Sequence, residues 1–158
     1  MNYAGYMELI DRGYFEHWNN RMRFFSLIQD HKDEYGVIDL SAMDAKGRSC
    51  NIELKTRTCD IFTFDTIFIE DKKWDALYKD WNEKNIVPLY ICFMKDGFHV
   101  WLCDLRKYFT GEKHIDTKKV DIDNKGYNRI DKDELRYLLP VRDGVYYEFE
   151  NEKYIRKW

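Results

Sequence analysis

The stretch GVIDLSAMDAKGRSCNIELKTRT, residues 36–58, holds two apolar segments around one tight turn. Asp39 lies on the first segment, and Glu53, Leu54 and Lys55 lie on the second. Side chains alternate along a strand, so Cys50, Ile52 and Leu54 take one side while Asn51, Glu53 and Lys55 take the other. In residues 37–43, Ile38 and Leu40 alternate with Val37, Asp39 and Ser41. Ala45-Lys46-Gly47 reads as a three-residue hairpin loop closed by a left-handed glycine. That loop pairs Asp44 with Arg48, Met43 with Ser49 and Ser41 with Asn51. Two steps further, Asp39 stands opposite Glu53 on the same face, with Cα atoms about 4.5–5.5 Å apart. A four-residue loop over residues 44–47 would slip the register by one and separate the two acids.

Directly opposed carboxylates repel. A shared proton offsets the repulsion by raising one pKa, and a divalent cation offsets it more fully. Magnesium takes carboxylate oxygens, keeps several waters and is completed by substrate phosphate, where it assists phosphoryl chemistry. Lys55 stands two residues beyond Glu53 on the same face. Its ammonium suits orienting or deprotonating an attacking water, or neutralising charge that develops on phosphate. The competing reading of Asp39, Glu53 and Lys55 is a charged exposed face with a cross-strand ion pair.

Outward from the hairpin, residues 3–21 read as a helix, with Tyr6, Ile10, Tyr14, Trp18 and Met22 recurring every four residues. Residues 23–29 read as a strand, with continuation of the helix as the alternative. Residues 63–69 alternate and read as extended. Asp71 is placed to cap a helix over residues 72–84, where Trp74, Leu77, Tyr78 and Trp81 form an apolar stripe. Lys72, Lys73, Lys79 and Lys84 then read as its solvated face, with a phosphate-facing role for Lys73 as the alternative. Residues 86–94 and 98–105 form a hairpin through Lys95-Asp96-Gly97, and Pro88 puts the first strand at an edge or at its own beginning. Residues 111–126 are polar and read as a loop. Residues 133–139 are a short helix or strand, and VYYEF after Asp143-Gly144 is the last strand. The order describes an α/β (α+β) fold, one mixed β-sheet flanked by helices. It is a single domain over residues 1–158, with a core over about 3–107 and a C-terminal extension over about 108–158.

A chain of 158 residues, 44% hydrophobic and 35% charged, with two prolines, supports one real core and is not disordered. No apolar run approaches the ~20 residues of a membrane span. The N-terminus carries no secretion pattern, so a cytoplasmic location is expected. Cys50, Cys59, Cys92 and Cys103 show no zinc spacing, and reduced core thiols are the plain reading. His17, His31, His99 and His114 are scattered and show no metal spacing. A net charge of −3 excludes binding of nucleic acid through bulk positive charge, leaving a local patch or a metal site. The 17% aromatic content is read as core packing, with some tyrosines available to stack on bases.

Asp39 in GVIDL followed by Glu53-Leu54-Lys55 in NIELKT resembles the PD-(D/E)xK nuclease superfamily, the restriction-endonuclease-like fold with its αβββαβ core. The resemblance covers residues 3–105. It implies hydrolysis of DNA phosphodiesters with Mg²⁺, for which Mn²⁺ substitutes. Asp39, Glu53 and the main-chain carbonyl of Leu54 would hold the metal, and Lys55 would be the catalytic lysine. Many members add a glutamate from the first helix; here that is Glu8, with Glu16 as the alternative. Ile38 stands where the motif's proline often precedes the aspartate. DNA is the implied partner, with a homodimer or a partner protein beside it, in a phage, mobile-element, repair or defence setting. The rival expectations are a catalytically inactive nucleic-acid- or protein-binding module on the same fold, and an unrelated α/β interaction protein.

Overall fold

Near-continuous apolar sequence at residues 87–94 makes a strand buried on both faces, and the rest of the molecule is layered around it. The computed structural model describes residues 3–31, 37–94, 97–121 and 133–158. Helix α1 (Tyr3–Met22) leads into β1 (Phe25–Asp30), β2 (Leu40–Asp44) and β3 (Ser49–Arg57). A 3₁₀ turn (Ile61–Thr63), β4 (Thr66–Glu70) and α2 (Asp71–Lys84) follow, then β5 (Val87–Met94), β6 (His99–Asp104) and the short α3 (Arg106–Phe109). The chain ends with β7 (Asp116–Asp121), β8 (Asp133–Pro140), β9 (Val145–Glu150) and β10 (Lys153–Arg156).

Among the described residues, seven strands form one sheet in the order β1-β2-β3-β5-β6-β9-β10, and β4-β8-β7 form a second. β3 and β5 run parallel, and their neighbours pair antiparallel, so the large sheet is mixed. On one face of it, Phe15 and Trp18 of α1 pack on Ile52, Leu54, Ile91 and Phe93. On the other, Trp74 and Leu77 of α2 and Ile69 and Leu139 of the second sheet pack on Tyr90, Cys92 and Trp101. The fold is mixed α+β, with helices against a large mixed sheet. No helix among the described residues is long and apolar enough to cross a membrane.

The β2–β3 hairpin has the expected register, with Met43 opposite Ser49, Ser41 opposite Asn51 and Leu40 opposite Ile52. Gly47 adopts φ +74° and donates its N–H to the Asp44 carbonyl, while the Asp44 N–H reaches the Arg48 carbonyl. Only a residue free of a Cβ enters that conformation without strain.

Other expectations need correction. The four-residue spacing in α1 overshoots the helical period by about 40° per step. Tyr6 is therefore 56% exposed while Trp18 is fully buried. Asp71 is the first residue of α2, not its cap; the cap position is Glu70, whose side chain makes no capping bond. Of the two places open to Pro88, the start of a strand holds and the sheet edge does not: β5 is central and Pro88 is its second residue. Residues 116–121, read as loop, form β7, an edge strand whose lysines face solvent and leave no apolar alternation. Residues 122–126 of that expected loop and the turn residues 95–96 lie outside the described residues. Of the helix and strand alternatives for residues 133–139, strand holds, as β8 over Asp133–Pro140. β9 is followed by β10 through Asn151 and Glu152, both at positive φ, as a two-residue hairpin loop requires.

Candidate functional site

β3 outruns its neighbour. The ladder with β2 stops at Leu40–Ile52, so the edge of β3 beyond Ile52 has no antiparallel strand on that side. Asp39, one step before β2, fills the gap with its side chain: Oδ2 accepts the Leu54 N–H at 2.8 Å. Both main-chain groups of a strand residue point to the same neighbour, so the Leu54 carbonyl also faces this gap. Extending the observed register by one pair sets Asp39 against Glu53.

Glu53 is only 3% exposed and Asn51 only 4%. Buried polar side chains on a sheet face need partners from the layer above, and α2 supplies them. Lys73 Nζ lies 2.9 Å from Glu53 Oε2 and 3.5 Å from Asp39 Oδ1. Two helical turns on, Asp80 Oδ2 accepts from Asn51 Nδ2 at 2.7 Å, and Asp80 Oδ1 holds Lys84 at 2.8 Å. The chain extends the other way: the Ser41 hydroxyl donates to Asn51 Oδ1 at 2.9 Å and bonds His31 Nε2 at 2.6 Å. His31 thus belongs to a polar network beside the acids.

Two carboxylates share one ammonium, which leaves an excess negative charge. Burial, then the nearby Asp39 charge, pushes the Glu53 carboxyl well above the ordinary range, against the opposing pull of Lys73. Burial pulls the Lys73 ammonium down, but the Glu53 and Asp39 carboxylates outweigh it and hold its pKa up. The site thus favours the charged form of Lys73 and makes Glu53 easier to protonate than a free glutamate.

Lys55 stands on the same face, partly exposed, with Nζ 3.9 Å from Glu70 Oε1 at the end of β4. The acid of α1 that reaches this region is Asp11. Its pKa is raised by burial, against the pull of the Thr56 side chain and the Lys55 charge, with Asp39 adding to the rise. Asp11 Oδ1 is buried without a hydrogen-bond partner. Glu8 is exposed on the same helix, with Oε2 3.7 Å from Arg12 Nη1, and Glu16 is exposed beside Arg12 and Asp30. Among the described residues, neither glutamate bonds Asp39, Glu53 or Lys55; the α1 acid whose charge meets Lys55 and Asp39 is Asp11.

Asp39, Glu53 and the Leu54 carbonyl present oxygens to one gap, the donor type that suits magnesium or manganese, and Asp11 beside Thr56 is the nearby acid of α1. Among the described residues, no three carboxylate, histidine or cysteine side chains are already gathered into a cation cage. The positive charge between Asp39 and Glu53 is that of Lys73. Away from the site, burial pushes the thiol of Cys50 up to about 11 and those of Cys92 and Cys103 up to about 12, so these cysteines are inert core groups.

No protein-family model matches the chain, and neither the curated proteins nor the solved structures yield a match.

Proposed function

We propose that this chain is a metal-dependent nuclease that hydrolyses DNA phosphodiester bonds through a site of PD-(D/E)xK type. One observation carries the reading: Asp39 and Glu53 converge from neighbouring strands on a single positive charge, with Lys55 on the same face. Asp39, Glu53, the Leu54 carbonyl and Asp11 would hold Mg²⁺, or Mn²⁺ in its place. When bound, the cation supplies Lewis acidity toward the phosphoryl group and acidifies water beside it. Lys55 neutralises charge developing on the phosphate, or orients the attacking water, from a position open to substrate. Lys73 balances the acid pair in the metal-free protein. Unpaired, buried Cys50, Cys92 and Cys103 suit a reducing compartment, so the cytoplasm is the proposed location.

A second reading has its own support. Lys73 already offsets part of the acids' charge without a metal, as an inactive DNA- or protein-binding module on this fold would need. Calorimetry with Mn²⁺ and incubation with plasmid, single-stranded and branched DNA separate the two. The nuclease reading expects Mn²⁺ binding that is lost in Asp39→Ala and cleavage that is lost in Lys55→Ala. Metal binding with every substrate left intact overturns it in favour of the binding module.

A further inference from the structure

β3 does not end at Lys55. Two residues on, and about 7 Å further along the strand, Arg57 presents its guanidinium on the same face and opens a cavity of about 560 Å³ between the two sheets. β4 crosses β3 here. Glu70 reaches Lys55, and Phe68, two residues earlier in β4, lies beneath the Arg57 guanidinium at 4.1 Å. Arg136 of β8 stands over the same ring at 4.0 Å, and Lys118 of β7 is the cross-strand neighbour of Arg136.

The cavity is therefore cationic at one wall. Arg57, Lys118 and Arg136 line it against a single carboxylate, Asp60, which accepts the Phe62 N–H as the cap of the 3₁₀ turn. Arg136 shares its charge with Glu134 at 2.8 Å. Among the described residues, Arg57 and Lys118 form no salt bridge, and Arg57 Nη2 is buried without a hydrogen-bond partner. Among the described residues the Arg57 guanidinium is met by the face of Phe68 and by no carboxylate, so an anion in the cavity would supply its counter-charge. The remaining wall is apolar, with Ile67, Met94 and Leu138, and at its rim Phe64 is 65% exposed. An exposed phenylalanine beside a cationic wall is the pairing that single-stranded nucleic acid uses, ring to base and cation to phosphate.

We propose that this cavity binds one unpaired nucleotide of the substrate strand, with its phosphate on Arg57, Lys118 and Arg136 and its base against Phe64. The volume falls in the range of small-ligand pockets and admits one nucleotide, not stacked base pairs. Resting on the nuclease reading, the inference narrows the substrate class to DNA that offers an unpaired nucleotide beside the scissile bond: single strands, flaps or frayed ends.

The test begins with calorimetry of the full chain in EDTA, titrated with deoxyadenosine monophosphate and separately with inorganic phosphate. Chelation keeps the acid pair out of the readout. The mononucleotide is expected to bind at millimolar concentration or tighter. Lys118→Ala should weaken both ligands about tenfold. Phe64→Ala should weaken the mononucleotide at least fivefold and leave phosphate unchanged. Both residues are exposed, so both variants should keep the wild-type melting temperature. No mononucleotide binding, or equal binding in wild type and both variants, overturns the proposal. Phosphate bound as tightly as the mononucleotide overturns the nucleotide assignment. In a Mn²⁺ cleavage assay, the two variants should raise KM for single-stranded DNA with kcat held. Binding as expected without any cleavage sinks the nuclease reading and leaves the subsite standing. Cleavage with KM unmoved in both variants does the reverse.

Discussion

Replacing Lys73 by methionine tests the electrostatics of the site without assuming any activity. The ammonium sits 2.9 Å from Glu53 and 3.5 Å from Asp39, on side chains that are 24%, 4% and 20% exposed respectively. Removing one member of a buried charged cluster costs roughly 3–5 kcal/mol, and the partial exposure of Lys73 and Asp39 selects the lower end, about 3 kcal/mol. A domain of this size loses about 2–4 °C of Tm per kcal/mol, so Lys73→Met should melt roughly 6–12 °C below wild type at pH 7.5 in EDTA. Two agents should restore the variant. Acid should do so by protonating Glu53, each pH unit recovering up to about 1.4 kcal/mol while the proton is taken up. Mn²⁺ at a hundred times its Kd should add about 2.7 kcal/mol. Wild type should gain less, because there the incoming cation contends with Lys73 for the same oxygens. The assay is urea and thermal unfolding followed by tryptophan fluorescence, with and without Mn²⁺. Equal Tm values in EDTA refute the view that Lys73 balances the acids. A Mn²⁺ response no larger in the variant than in wild type refutes the view that ammonium and cation share one site.

The raised Glu53 pKa fixes a pH dependence. A carboxyl whose pKa is higher folded than unfolded binds more protons in the native state, so its contribution is full below the unfolded pKa and lost as pH rises toward the folded one. Urea stability in EDTA should therefore fall above about pH 4.5, and Glu53→Gln should flatten that slope; identical slopes would count against it. Asp11 shifts the same way and should leave a smaller residual slope in the Glu53 variant. Asp11→Asn should weaken Mn²⁺ binding roughly tenfold or more by calorimetry, whereas Glu8→Gln should not change it; the reverse order would return the helix ligand to Glu8. A Cβ at Gly144 would overlap the indole of buried Trp101, whose Nε1 donates to the Val141 carbonyl at 2.8 Å. Gly144→Ala should cost about 3 kcal/mol, and a variant melting within 2 °C of wild type would show that the C-terminal strands yield easily.

What the sequence discloses and what it hides divide along a physical line. The hairpin register is legible because one local feature sets it, a three-residue loop ending in Gly47, and every pairing up to Leu40, next to Asp39, follows by counting. The partners of that hairpin are not local. Lys73 looks like any solvated helix lysine until α2 is laid on β3, when its row with Asp80 matches the row of Glu53 and Asn51. The clue lay on β3: three successive polar positions on one face, Asn51, Glu53 and Lys55, flanked by core, require partners from whatever covers them. Asp11 and Glu8 fall on nearly the same side of α1, so helical phase does not separate them. They differ by about 4.5 Å along the axis, and only the crossing of α1 over β3 decides which reaches Lys55 and Thr56. A search for a glutamate passes over Asp11, although a carboxylate one turn from buried Phe15 is itself a sign of a polar partner in the sheet. The second sheet was hidden for the opposite reason. β7 presents lysines to solvent and has no apolar face to announce it, yet one of them, Lys118, joins Arg57 and Arg136 at the wall of the neighbouring cavity. At −3 overall the chain does not read as a DNA binder, and the proposed subsite rests instead on the local field of Arg57, Lys118 and Arg136, which, not the total charge, governs what a cleft of this size attracts.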